Sequence, residues 1–443
     1  MAAKIEKVAV IGSGTMGAGI AALAASSGAQ VLLLDMPAKE GERNAVAAGA
    51  KARMLEGRAP MLDDAAAADR ISVGNFDDDM GKLADVDWIC EVIVENLAIK
   101  RSMFERLEAA RGDGSILTTN TSGIPLHAIT EGMPARLLKD VAVTHFFNPV
   151  KVMKLVELVP GEEMDKGQLD RIATYLDGGL GKGVVWGKDT VNFIANRIGC
   201  FWMLAGLNEA QAAFDAGLDL EDLDAALGAP VGVPPTALYG LLDLVGLDVL
   251  GLVSTNLQEN LPADDAGRPY AQLPPKVDAM YKRGQIGRKA GGGFYRMTKT
   301  DDGGRLKETF DLKTESWRES KTAELSPDQQ SLAGLLGGDD ALSRFVWKTM
   351  GATMAYAAEL VPEIADDIVN VDRAMRWGFN WRQGPFEMID AVGADSFATR
   401  LKAEGMALPN MLQVLQTSGG KSFYRNDGAE FLGVDGQYHK VPA

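Results

Sequence analysis

The chain of 443 residues holds only two cysteines and three histidines. Cys90 and Cys200 stand far apart, with no metal-ligand spacing around either. That excludes a disulfide framework and a cysteine-bound metal, so no metal is expected and both read as small buried hydrophobes. No apolar run reaches the roughly 18 residues that a membrane-spanning helix needs. The apolar stretch 8–11 runs straight into a glycine turn and is too short for a secretory leader, which makes the cytoplasm the expected compartment. Positive charge is also scarce: 45 Lys+Arg against 61 Asp+Glu leave a formal net charge of −16. Such a chain repels phosphate backbones and anionic lipid, so neither nucleic acid nor a membrane is an expected partner. What is present, 46% hydrophobic and 24% charged residues, suits a globular protein of more than one domain.

Strand and helix patterns alternate along the first part. Residues 7–12, 30–35, 87–94, 115–119, 141–145 and 154–159 read as strands, and 15–27 as a helix. Alternation of this kind predicts a parallel sheet covered on both faces, an α/β Rossmann domain over residues 1–188. The strand at 154–159 follows its predecessor too closely for a helical crossover, so the two should pair antiparallel.

From residue 189 the pattern turns all-helical, with long periodic stretches at 191–216, 219–227 and 237–253. The polar, aperiodic residues 298–326 read as a linker or extended surface excursion, and helical pattern resumes from 327. Leu241-Leu-Asp-Leu-Val-Gly-Leu-Asp248 is similar to Met388-Ile-Asp-Ala-Val-Gly-Ala-Asp395, and each follows a Gly/Pro-rich turn. The prediction is one helical module present twice, at 189–297 and 327–443.

Gly12-Ser-Gly14-Thr-Met-Gly17 lies between the first strand and the first helix. A G-x-G-x-x-G in that context is a dinucleotide fingerprint. Gly12 makes the tight turn, Gly14 lets the pyrophosphate approach, and Gly17 packs helix on strand. Thr15 and Met16 open the helix, whose free N–H groups and positive dipole end face the phosphates. Asp35 ends the second strand, where its carboxylate can accept from both ribose hydroxyls and repel a 2′-phosphate. NAD is therefore the expected cofactor.

Oxidation of an alcohol by such a cofactor needs a base for the hydroxyl proton. Of the three histidines, His127 falls in a helical run and His439 near the C-terminus. His145 ends a strand of the sheet, on the side where open α/β folds bind ligands. Glu157 follows on the returning strand and could orient the imidazole. Taken singly, His145 is as readily a core histidine, and Glu157 a strand-edge charge.

The motifs Val94-Glu-Asn-Leu-Ala-Ile-Lys100, Asn120-Thr-Ser-Gly123, His145-Phe-Phe-Asn-Pro149, Met153-Lys-Leu-Val-Glu157, Phe193-Ile-Ala-Asn-Arg197 and Gly287-Arg-Lys-Ala-Gly-Gly-Gly-Phe-Tyr295 occur in that order. As a set they closely resemble the L-3-hydroxyacyl-CoA dehydrogenase family of fatty-acid β-oxidation. The C-terminal repeat resembles the second helical module of its long multifunctional members. The resemblance implies that His145 is the catalytic base, held by Glu157. It implies that Ser122 bonds the substrate oxygen beside the nicotinamide and that Asn196 orients the reacting carbonyl. Asn148 would shape the same pocket, Glu95 and Lys100 would contact the nicotinamide side of the cofactor, and Lys289 would reach it from the helical domain. An acyl-CoA is the implied substrate. Lys51, Arg53 and Arg58 are basic candidates for its anionic CoA, and equally ordinary solvated helix charges. A second helical copy could stand in for the partner of short, paired members and leave the chain monomeric. Association with other β-oxidation enzymes is a further expectation, and no hydratase-like segment is seen.

The chain departs from the family pattern where Val191-Asn192 replaces Pro-Gly and Ser122-Gly123 replaces Ser-Ser. Neither change removes a proposed catalytic group; both bear on substrate fit. Two other functions fit parts of the sequence: a related dehydrogenase of a non-CoA 3-hydroxy acid, and a non-enzymatic Rossmann scaffold. The joint presence of Ser122, His145, Glu157 and Asn196 argues against the scaffold, and the doubled helical module against the non-CoA enzyme.

Overall fold

The computed structural model describes residues 4–56, 60–62, 64–301 and 303–442. It divides into two compact units between Ile194 and Ala195.

The first unit is built on one eight-stranded sheet in the order β3-β2-β1-β4-β5-β6-β7-β8. The strands are β1 (Lys7–Ile11), β2 (Gln30–Asp35), β3 (Ile71–Asn75), β4 (Trp88–Glu91), β5 (Ile116–Thr119), β6 (Val141–Phe146), β7 (Leu155–Pro160) and β8 (Gly183–Trp186). All neighbours pair parallel except β6 and β7, which run antiparallel as their short connection requires. Successive residues feed opposite faces. Val8, Val10, Val31 and Leu33 join one buried core, and Ala9, Ile11, Leu32 and Leu34 join the other. Two covered faces explain why the central strands read as continuous apolar runs. The strands missed by sequence reading, β3 and β8, are the two edges of the sheet. An edge strand buries less: exposed Ser72 interrupts the apolar run of β3, and β8 is only four residues long and ends on exposed Trp186.

The second unit opens with helix α3 (Ala195–Asp215); α1 (Thr15–Ser26) and α2 (Leu97–Ala110) belong to the first. The helical pattern from 191 begins later than the periodicity predicts, because Asn192 and Phe193 take left-handed backbone, φ 62° and 51°. The duplication is visible in atomic detail. Helix Tyr239–Val245 breaks at Gly246, φ 100°, before helix Leu247–Asn260. Helix Pro385–Val392 breaks at Gly393, φ 88°, before helix Ala394–Ala403. In the first copy Asp243 accepts from Phe294 N (2.8 Å) and Tyr295 N (2.7 Å). In the second, Asp390 accepts from Phe423 N (2.7 Å) and Tyr424 N (2.8 Å). The aromatic pairs Tyr239–Phe294 and Phe386–Phe423 both stand 4.9 Å apart, edge to face. Burial pushes both Asp243 and Asp390 up to about 6.

Each copy then passes into a small antiparallel sheet, which corrects the all-helical expectation. Residues 298–326, expected as a linker, carry the end of β9 (Tyr295–Lys299), then β10 (Arg305–Asp311) and β11 (Ser316–Glu319). The second copy closes with β12 (Tyr424–Arg425), β13 (Glu430–Leu432) and β14 (Tyr438–Lys440). The first of these sheets escaped pattern reading because polar contacts anchor it. Arg318 forms a bidentate pair with Glu221, at 2.7 Å to each oxygen, and Arg296 lies 4.2 Å over the Trp317 ring. Among the described residues, no single helix is long and apolar enough to cross a membrane.

Candidate active site

The glycine loop has the geometry its spacing predicts, and the glycines are needed for different reasons. Gly12 has φ 110°, and a Cβ there would stand 2.6 Å from Val92 O. A Cβ on Gly17 would stand 1.9 Å from Gly12 O, so the first turn of α1 lies directly on the loop. Gly14 differs: its backbone, φ −63° and ψ −174°, is open to any residue. A Cβ there would meet no protein atom within 4 Å. Neither conformation nor packing calls for glycine at that position, whereas a pyrophosphate lying on the loop does. Thr15, Met16 and Gly17 precede the first intrahelical bond, Ala18 N to Gly14 O (2.8 Å), so their N–H groups are open to an anion.

The two positions should therefore respond in opposite ways. Gly17→Ala should destabilise the fold by about 1–3 kcal/mol, read as a lowered Tm. Gly14→Ala should cost under about 1 kcal/mol yet weaken NADH binding about tenfold or more, by fluorescence titration. Equal loss of stability in both would contradict this division.

Asp35 sits at the end of β2 as expected. Its Oδ2 accepts from Ser13 N (2.5 Å) and Ser13 Oγ (2.6 Å), and its Oδ1 from Met36 N (2.7 Å). Ser13 was not singled out by the sequence; it fixes the acid so that Oδ1 keeps an acceptor position for a ribose hydroxyl. These residues fit the nucleotide half of NAD.

In the antiparallel β6–β7 pair, His145 lies directly opposite Glu157. Side chains at opposed positions share one face, so the register itself brings them together. His145 Nδ1 stands 2.6 Å from Glu157 Oε2, and His145 Nε2 stands 3.1 Å from Ser122 Oγ. Glu157 is fully buried and His145 is 3% exposed. The second Glu157 oxygen accepts from Ile194 N at 3.0 Å. A carboxylate accepts and does not donate, so the imidazole proton belongs on Nδ1 and the Nε2 lone pair faces Ser122. Phe147 and Phe193 flank the imidazole at 4.6 and 5.7 Å between centroids. The left-handed turn at 192–193 aims Ile194 N at Glu157. Asn tolerates that backbone better than other non-glycine residues, which suits Asn192 to a position where the resembled family has glycine.

Ser122 is held from behind. Glu95 Oε1 accepts from Thr121 Oγ1 (2.6 Å), Ser122 N (3.0 Å) and Gly123 N (3.0 Å). Burial pushes the Glu95 carboxyl up, but Lys100 and these donors outweigh it and hold it below the ordinary glutamate value. Lys100, expected on the nicotinamide side of the cofactor, lies among carboxylates. It is 1% exposed, bonded to both oxygens of buried Glu91 (2.9 and 3.1 Å) and 3.4 Å from Glu95 Oε2.

Two residues without an assigned role also shape the site. Glu91 ends β4 and accepts from Thr119 Oγ1 at 2.6 Å. Asn120 Oδ1 accepts from Phe146 N at 2.9 Å, pinning the residue after His145. The Asn120-Thr-Ser-Gly motif was a signal for Asn120, whereas Glu91 reads as one more strand residue.

The remaining candidates have the following places. Asn148 is exposed just beyond β6. Asn196 is half-buried in the first turn of α3. Lys289 is exposed and pairs with Asp248 at 2.7 Å. Lys51 donates to Ile71 O at 2.6 Å, so it is engaged with the sheet edge, and Arg58 lies outside the described residues. His127, set aside in the sequence, caps a different contact, with Nδ1 2.7 Å from Asp189.

The NAD binding domain of 3-hydroxyacyl-CoA dehydrogenase matches residues 7–190. The C-terminal domain of the same family matches 193–297 and 345–424, one segment in each helical copy. A Bacillus subtilis protein named as a probable 3-hydroxyacyl-CoA dehydrogenase is 36% identical over 462 residues, covering 99% of this chain and 57% of its own length. The 3-hydroxybutyryl-CoA dehydrogenase of Mycobacterium tuberculosis is 32% identical over 301 residues, covering 67% of this chain and 99% of its own length. The solved structure of 3-hydroxybutyryl-CoA dehydrogenase from Escherichia coli shares the fold at 24% identity and TM-score 0.69, over 94% of this chain and 100% of that one. The chain spans little more than half the length of the longer curated relatives it matches. With the NAD binding domain and a doubled C-terminal domain matched in order over most of its length, the chain belongs to the 3-hydroxyacyl-CoA dehydrogenase family.

Proposed function

We propose that this protein oxidises the 3-hydroxyl of an L-3-hydroxyacyl-CoA to a ketone, reversibly, as the dehydrogenase step of fatty-acid β-oxidation. The observation that carries the reading is the line Glu157–His145–Ser122, in which one imidazole nitrogen is bonded to a buried carboxylate and the other faces a hydroxyl. Bound NAD supplies the hydride acceptor. In the oxidation direction His145 Nε2 would take the hydroxyl proton as hydride leaves the same carbon. Glu157 stabilises the imidazolium that forms. Ser122 Oγ donates to the substrate oxygen, which becomes the ketone oxygen, and Glu95 keeps the Ser122 loop in place. The family resemblance gives Asn196 the task of orienting the reacting carbonyl and Asn148 that of shaping the pocket. In reduction the proton returns from Nε2 to that oxygen.

The domain reading that accompanies this function is a Rossmann domain at 1–188, a first helical domain at 189–297, a segment at 298–326 that carries most of the sheet β9–β11, and a second helical domain at 327–443. The second copy serves in place of a partner subunit. The test compares 3-hydroxybutyryl-CoA with free 3-hydroxybutyrate, each with NAD, by the rise of NADH absorbance. The thioester should be preferred by at least about 100-fold in kcat/KM, the equivalent of roughly 2.7 kcal/mol of transition-state binding. Equal use of the free acid would replace this reading with the non-CoA dehydrogenase.

A further inference from the structure

One buried charge in the first unit has no part in the chemistry above. Lys182 lies just before β8 and is 4% exposed. Its ammonium donates to Met153 O at 2.7 Å and also to Val150 O. Both carbonyls belong to the turn that joins β6 to β7, and so to the segment between His145 and Glu157. The same turn is closed from within by Val152 N and Met153 N, both bonded to Pro149 O at 3.0 and 2.9 Å. Burial lowers the Lys182 ammonium to about 8.

The turn also touches the cofactor helix. Val150 is 4% exposed and lies against Gly19 of α1: a Cβ on Gly19 would stand 2.9 Å from Val150 Cγ2 and 3.0 Å from Val150 Cβ. The valine thus occupies a notch that only glycine leaves open. One side chain fixes the carbonyl of residue 150, and the helix that follows the glycine loop fixes its methyl groups.

We propose that Lys182 is a positioning residue for the reaction: it clamps the β6–β7 turn so that Val150 stays seated on the cofactor helix and Asn148 stays at the end of the His145 strand. The inference rests on the function proposed above. Its physical basis is that a misplacement of about 1 Å near a reacting centre costs up to about 100-fold in rate. An apolar chain of the same length could fill the volume but could not hold two carbonyls.

The test uses Lys182→Met and Val150→Ala in the full chain, with acetoacetyl-CoA and NADH. Folded, NADH-binding protein is counted by titration, so that rates refer to intact molecules. Lys182→Met should lower kcat about 10- to 100-fold while the KM for acetoacetyl-CoA stays within about threefold. Amide exchange at Val152 and Met153 should accelerate. Val150→Ala should lower kcat in the same way. The double variant should lose less than the product of the single losses, since both act on one turn. A kcat within twofold of wild type for Lys182→Met, unchanged exchange, or losses that multiply would overturn the proposal. If Lys182→Met does not fold, a wild-type kcat in Val150→Ala overturns it alone. Absence of turnover in the wild type would sink the functional reading instead, and the exchange measurement would still decide whether Lys182 holds the turn.

Discussion

His145→Ala is expected to lower kcat for acetoacetyl-CoA reduction by about 10²- to 10⁴-fold, the usual worth of a positioned general acid–base. NADH binding should change by less than about threefold. The separation follows from the structure. The imidazole is bonded to Glu157 and faces Ser122, while the glycine loop and Asp35 are built from β1, β2 and α1. The variant removes the imidazole proposed to carry the proton and leaves the nucleotide half intact. The imidazole is 3% exposed, so some loss of stability from the cavity is also expected, on the order of 1–3 kcal/mol. Stopped-flow absorbance at the NADH band reads the rate, and a fluorescence titration reads the binding. Undiminished turnover would remove His145 from the chemistry.

Glu157→Gln is the second large effect, about 10³-fold or more in kcat. The substitution keeps shape but presents an amide to two groups that both need acceptors, His145 Nδ1–H and Ile194 N–H. One amide oxygen can satisfy only one of them. If it goes to Ile194, the amide NH₂ faces Nδ1, and the imidazole proton moves to Nε2, where it blocks proton uptake. If it goes to Nδ1, a buried N–H loses its partner, at about 1–3 kcal/mol. The first arrangement predicts lost activity with near-normal Tm, and the second predicts a lowered Tm. A wild-type rate with unchanged stability contradicts both. The nitrogen resonances of His145 distinguish the tautomers directly.

The sheet and half of the site were legible for the same reason. A central parallel strand is covered on both faces, so it leaves a dense apolar run, and the glycine loop sits at its end. Antiparallel pairing of β6 and β7 followed from the shortness of their connection. That pairing carried His145 and Glu157 to opposed positions. Edge strands β3 and β8 left no such run, and β9–β11 are held by Arg318–Glu221 and Arg296–Trp317, contacts between residues too far apart in sequence to form a period. The pairing of Lys100 with Glu91 and Glu95 was not legible, because it is a tertiary contact that its motif does not spell out. Lys182 was invisible on similar grounds: its partners are backbone carbonyls, which carry no sequence signature. The helical repeat was legible through its Asp-X-Val-Gly-X-Asp core, since Asp243 and Asp390 each bind two backbone N–H groups and their glycines each turn the chain between helices.

The central claim is hydride transfer between a nicotinamide and carbon 3 of an acyl-CoA at the His145–Glu157 pair. The most direct measurement mixes the protein with acetoacetyl-CoA and NADH deuterated at the transferred position, then locates the label by mass spectrometry. The account predicts 3-hydroxybutyryl-CoA carrying deuterium on carbon 3, formed one for one with NAD, and labelled product formed at least about 100-fold more slowly with His145→Ala. Absence of reduction by the wild type, or labelled product formed equally by His145→Ala, would contradict it.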